Sequence, residues 1–72
     1  MTSGSEKIKE NLGKNIRKHR KALKLTQFEL SVQVDVTEDY IHFLETGKRI
    51  PSLDVLGKLA DALKIEPYEL LK

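Results

Sequence analysis

Three observations on this 72-residue sequence predict an all-α fold, a compact bundle of five helices. Apolar residues recur at spacings of three and four, which gathers them on one side of a helix. No stretch alternates apolar and polar residues over a strand length with hairpin turns. Only two prolines occur, and Thr26, Thr37, Ser52 and Gly47 stand where periodic runs start or stop.

The first helix is predicted over residues 7–23. Ile8, Leu12, Ile16, His19 and Leu23 form its apolar stripe, while Lys14, Arg17, Lys18 and Lys21 fall on the opposite side. His19 reads as a packed or half-buried histidine rather than a ligand, because no acidic or cysteine cluster accompanies it. Residues 1–6 read as a flexible N-terminus and residues 7–72 as one domain. A second helix, 27–34, opens on Thr26-Gln27-Phe28-Glu29, a capping box in which Thr26 and Glu29 satisfy each other's backbone N–H groups. Leu30 and Val34 form its inner face. The third helix, 38–46, follows the N-cap residue Thr37, buries Ile41 and Leu44, and stops at Gly47, which suits a left-handed C-terminal position. Ser52 caps the fourth helix, 53–63, with Leu53, Leu56, Leu59, Ala60 and Leu63 as its stripe. Pro67 fits the first turn of a short fifth helix, 67–71. The predicted core is Ile16, Leu23, Leu30, Val34, Val36, Ile41, Leu44, Leu56, Leu59, Ala60, Leu63 and Ile65.

Charge is unevenly spread. Residues 1–25 carry eight Lys/Arg against two Glu, a balance of +6, and residues 26–72 carry five Lys/Arg against nine Asp/Glu, a balance of −4. Such asymmetry fits either a basic face for a polyanion or a solvated helix surface. There is no cysteine, so no disulfide or thiolate site staples the fold. No apolar run approaches the ~18 residues of a membrane span, and the N-terminus lacks a signal-peptide core. A soluble protein of a reducing cytoplasm is expected, located at the nucleoid of a bacterial cell when bound to DNA.

Three stretches, "IRKHRKALKLTQFEL", "VTEDYIHFLETGKRIPSL" and "LADALKI", carry a resemblance that covers residues 12–71. They are similar to the helix-turn-helix family of lambda-repressor and Cro type, also called the XRE family. The resemblance implies that the second and third helices form the helix-turn-helix pair, with the third in the major groove of double-stranded DNA. Lys24 and Asp35 depart from the family pattern, since they stand at turns where glycine is common.

Site residues follow from the resemblance and from chemistry. Gln27 opens the second helix, where free N–H groups favour a phosphate, and the resemblance places a DNA-contacting glutamine there. Lys48 and Arg49 occupy the loop where family members touch the flanking backbone. Thr37, Glu38, Asp39, Tyr40, His42 and Phe43 make up the outward side of the third helix, and Glu38, Asp39 and Phe43 match the family's base-reading positions. An acid at a helix start interacts favourably with the dipole and is also able to accept from cytosine N4. Phe43 suits a thymine methyl group or a protein contact. The resemblance pairs Glu45 with Arg20, tying the first helix to the third.

The function implied is a sequence-specific transcriptional regulator that binds a palindromic operator as a homodimer, with Tyr68 and Leu71 contributing apolar surface to the dimer. The alternative is a protein-interaction module or an antitoxin on the same fold, with the acidic third helix contacting a protein partner. No nucleophile–base pair, metal constellation or phosphate-binding glycine loop is present, so no catalytic residue, metal, cofactor or small-molecule substrate is expected.

Overall fold

Ser3, Thr26, Thr37 and Ser52 each cap a helix, the side-chain hydroxyl accepting from the backbone N–H three residues on. In the computed structural model, which describes residues 3–72, these caps open α1 (Gly4–Ala22), α2 (Gln27–Val34), α3 (Glu38–Glu45) and α4 (Leu53–Leu63). The Thr26–Glu29 capping box is formed in both directions, at 3.0 and 2.8 Å. The expected fifth helix is a 3₁₀ turn, Pro67–Leu70, so the described residues form four α-helices rather than five. Four residues are too few for an i→i+4 ladder, and Glu69 N–H and Leu71 N–H bond instead to the carbonyls of Glu66 and Tyr68. Among the described residues there is no strand, and no helix is long and apolar enough to cross a membrane.

α1 begins three residues before the predicted start because the Ser3 hydroxyl accepts from Glu6 N–H at 3.2 Å. Of the expected flexible segment, Met1 and Thr2 lie outside the described residues, and Gly4–Glu6 are helical.

The core is Leu12, Ile16, Leu30, Val34, Ile41, Leu44, Leu59, Ala60, Leu63 and Leu70, with Val36, Leu56 and Ile65 half-buried against it. α2 packs on α3 and α4, and α1 packs on α3 and the 3₁₀ turn. Leu70 was not expected there. It is fully buried, and Asn15 Nδ2 donates to its carbonyl at 3.0 Å, fastening the C-terminal turn to α1. Leu23 is exposed rather than buried because it is the C-cap residue of α1, where the chain leaves the helix; Leu25 packs against the core instead. Leu53 is exposed because the first turn of α4 overhangs the bundle, Ser52 and Asp54 being exposed with it. Ile8 is exposed for the same reason at the start of α1.

All four helices end alike. A residue with positive φ (Lys24, Asp35, Gly47, Lys64) turns the chain, and the next N–H bonds back to the carbonyl five residues before it. Only one of the four is glycine. A side chain in this region costs ~1–2 kcal/mol, offset by the ~0.5–1 kcal/mol of extra backbone entropy that glycine loses on folding. Lys24→Gly and Lys64→Gly are therefore each expected to stabilise the fold by roughly 0.5–1 kcal/mol, and Asp35→Gly by less, because Asp tolerates the left-handed region. Gly47→Ala should destabilise by about the same amount. Urea unfolding midpoints check this; a lowered midpoint for Lys24→Gly would contradict it.

Candidate nucleic-acid interface

The candidate surface is built on how α3 is anchored. Ile41 and Leu44 bury its inner face, and Glu45, at its last turn, is clamped by the Arg20 side chain of α1. Arg20 Nε donates to Glu45 Oε2 at 2.6 Å and Nη2 donates to Oε1 at 3.0 Å, a planar fork on a carboxylate. Arg20 Nη1 donates to the Leu25 carbonyl at 2.8 Å, so the guanidinium also braces the α1–α2 turn. The two side chains are only 10% and 3% exposed. This is the pairing the resemblance implied. A third donor was not foreseen: Gln27 Nε2 donates to Glu45 Oε1 at 3.0 Å. Gln27 is half-buried, with one amide N–H committed to Glu45 and the other free for a ligand.

Thr37, Glu38, Asp39, His42 and Phe43 are exposed along α3. The Thr37 hydroxyl is occupied in capping, accepting from Tyr40 N–H at 3.1 Å. Glu38 and Asp39 sit in the first helical turn, next to the positive end of the dipole. Ion pairs among the described residues use other acids. Tyr40 departs from the expected outward position: it is half-buried and packs against the core. Its Cα precedes that of the buried Ile41, and a ring is long enough to lean inward from the flank. The rings of His42 and Phe43 lie 6.1 Å apart and tilted by 56°, forming one aromatic patch.

At the end of α3, Gly47 has φ +75, and Lys48 N–H bonds back to the Phe43 carbonyl at 2.9 Å. The residue in this position closes the other three helices with an apolar side chain packed on the core: Leu25, Val36 and Ile65. At α3 it is Lys48, which is exposed, followed by exposed Arg49. Two cations thus leave the bundle just past the exposed helix.

A helix packed at its back, exposed along its front and followed by two exposed cations has, with α2 before it, the arrangement of a helix-turn-helix domain. A helix-turn-helix family model matches residues 16–70, and the chain belongs to that family, in its XRE-type branch. An HTH-type transcriptional regulator of Methanothermobacter thermautotrophicus is 48% identical over 54 residues, which is 75% of this chain and 78% of that protein. The restriction-modification controller protein C.AhdI from Aeromonas hydrophila superposes with a TM-score of 0.82 at 37% identity, over 86% of this chain and 94% of that one. Multiprotein-bridging factor 1 of Debaryomyces hansenii is 34% identical over 62 residues, 86% of this chain. The match spans only 41% of that factor's length. The chain is a DNA-binding regulator domain of a family that is not enzymatic.

Proposed function

We propose that this chain is a sequence-specific regulator that docks α3 in the major groove and binds a two-fold operator as a homodimer. The observation that carries this reading is Lys48: a position that anchors the other three helices to the core is given at α3 to an exposed cation. Lys48 and Arg49 serve as phosphate contacts flanking the groove. The free N–H of Gln27 reaches a phosphate while its partner N–H stays on Glu45. Glu38 and Asp39 accept from cytosine N4, and Phe43 meets a thymine methyl group. A domain of this size contacts one half-site, so specificity favours a pair of copies.

The test is selection of a preferred duplex from a random library, then titration of variants against salt. Lys48→Ala and Arg49→Ala should weaken binding to every sequence and flatten the salt dependence by about one unit of slope per lost phosphate contact. Glu38→Ala and Asp39→Ala should raise non-specific binding and relax the preference at one base pair by about 1–3 kcal/mol. If both acid variants keep the wild-type site preference, the acids cap the helix and do not read bases.

A second reading is a protein-interaction module. Its support is the likeness to a multiprotein-bridging factor and the charge of residues 26–47, which contain five acids and no Lys or Arg. Absence of binding to any duplex at low salt would favour it.

A further inference from the structure

The outer face of α1 carries a row of cations that the helix-turn-helix does not use. Lys7, Asn11, Lys14, Lys18 and Lys21 follow one another at spacings of three and four, so they form one stripe, and all five are exposed. At the ordinary rise of a helix the stripe is ~21 Å long. Counting about 100° per residue, Lys7, Lys14 and Lys18 lie roughly 100° or more around the helix from Gly13 and Arg20, the residues that face α3. Lys21 marks the margin nearer α3. Among the described residues, ion pairs engage Arg20, Lys58 and Lys72 and none of these four lysines. The acids of α1, Glu6 and Glu10, stand beside the stripe. Glu10 is within reach of Lys7 and Lys14 by spacing, yet it pairs with neither. The opposite side of α1 is buried in the core through Leu12 and Ile16.

We propose that this stripe holds the phosphate backbone of a second segment of duplex DNA while α3 engages the first. The charges are set in line on a rigid rod, over a length equal to the rise of about six base pairs. A protein partner would require an apolar centre to the contact, and the stripe has no aliphatic or aromatic member. Ile8 and Ala22, exposed beside it, are ~21 Å apart along the helix and so make no common patch. A membrane surface would require an apolar helix face to enter the lipid boundary, and that face of α1 is already in the core. Contacts from lysines to phosphates read no bases, so the second segment is held without regard to its sequence. The domain then bridges two stretches of DNA as well as reading one. This goes beyond the proposed regulator: the stripe stands independently of α3, and the bridge rests on that reading for its first duplex.

The test is capture of a second duplex. A duplex carrying the selected site is immobilised and saturated with protein, and a labelled duplex of unrelated sequence is added. Wild type should capture it, and the affinity of capture should fall about a hundredfold between about 50 and 200 mM salt, as four phosphate contacts require. A variant combining Lys7→Gln, Lys14→Gln, Lys18→Gln and Lys21→Gln should still bind the immobilised duplex and melt at the wild-type temperature, yet capture the second at least about tenfold more weakly. Asn11→Lys adds a cation inside the stripe. It should tighten capture and steepen its salt dependence by about one unit of slope, a gain that damage to the fold would not produce. Vesicles containing phosphatidylserine should bind more weakly than the unrelated duplex at equal salt. Tighter binding to vesicles, no capture by wild type, or equal capture by wild type and the four-lysine variant overturns the proposal. If a preferred site emerges but no second duplex is captured, the bridge falls and the reading of α3 stands. If no preferred site emerges, yet wild type binds any duplex and the four-lysine variant binds none, the backbone contact of the stripe stands while the bridge and the reading of α3 fall.

Discussion

Glu45→Ala is expected to destabilise the fold by about 3–5 kcal/mol, because it leaves the Arg20 guanidinium shielded and without its carboxylate. A domain of this length is stable by only ~4–11 kcal/mol, so the variant should be largely unfolded at modest urea concentrations. Three donors converge on the Glu45 carboxylate, two from Arg20 and one from Gln27, and all three lose their acceptor together. Arg20→Ala should cost a comparable amount, since it strands the carboxylate instead. Arg20→Lys should rescue little, because an ammonium cannot make the two parallel bonds and reach the Leu25 carbonyl as well. The exposed Asp54–Lys58 pair is the internal control: Lys58→Ala should cost under ~0.5 kcal/mol. Urea unfolding followed by circular dichroism measures all four. A Glu45→Ala loss no larger than that of Lys58→Ala would show that the fork does not hold α1 against α3.

Gly13→Ala should also destabilise the fold, by less than Glu45→Ala and for a steric reason. A Cβ at this position would lie 2.5 Å from the Leu44 carbonyl oxygen and 2.7 Å from that of Glu45. Both are backbone atoms at the end of α3, so no flexible side chain is available to yield. The helices must move apart, at a cost of roughly 1–3 kcal/mol or more, against the gain of up to ~1 kcal/mol that alanine brings inside a helix. The displaced element is α3, so duplex binding should fall together with stability. Thermal melting and duplex titration of Gly13→Ala and Gly4→Ala make the comparison, since a Cβ at Gly4 meets nothing within 4 Å. Equal behaviour of the two variants would rule out the close approach.

The elements whose signals are local were legible in the sequence. Hydroxyl caps at Thr26, Thr37 and Ser52 act within one turn, and they mark the helix starts to within a residue. The stripes of α2 and α3 placed Leu30, Val34, Ile41 and Leu44 correctly in the core. Periodicity misled at helix ends, where the pattern continues but the neighbouring helix does not: Ile8, Leu23 and Leu53 all keep the spacing and lose the burial. Tyr40 has the opposite history, with an outward position and a ring that leans in. The Arg20–Glu45 tie came from family resemblance, because nothing in spacing alone links residues 25 apart. Gly13, the Gln27–Glu45 bond and the burial of Leu70 depend on which helices meet, and that leaves no periodic trace in a single sequence.

The bond between Asn15 and Leu70 joins residues 55 apart. In polymer terms it closes most of the chain into a loop, and the entropy of closure grows only with the logarithm of length, about 0.6 kcal/mol per doubling. Several extra residues in the exposed 48–50 connection would lengthen that loop by a small fraction and barely alter the closure entropy. Trimming the chain before Leu70 instead removes a fully buried side chain and opens the loop entirely. The domain is consequently tolerant of insertion at its middle and intolerant of deletion at its end, an asymmetry that governs where a tag or a fused partner can be joined.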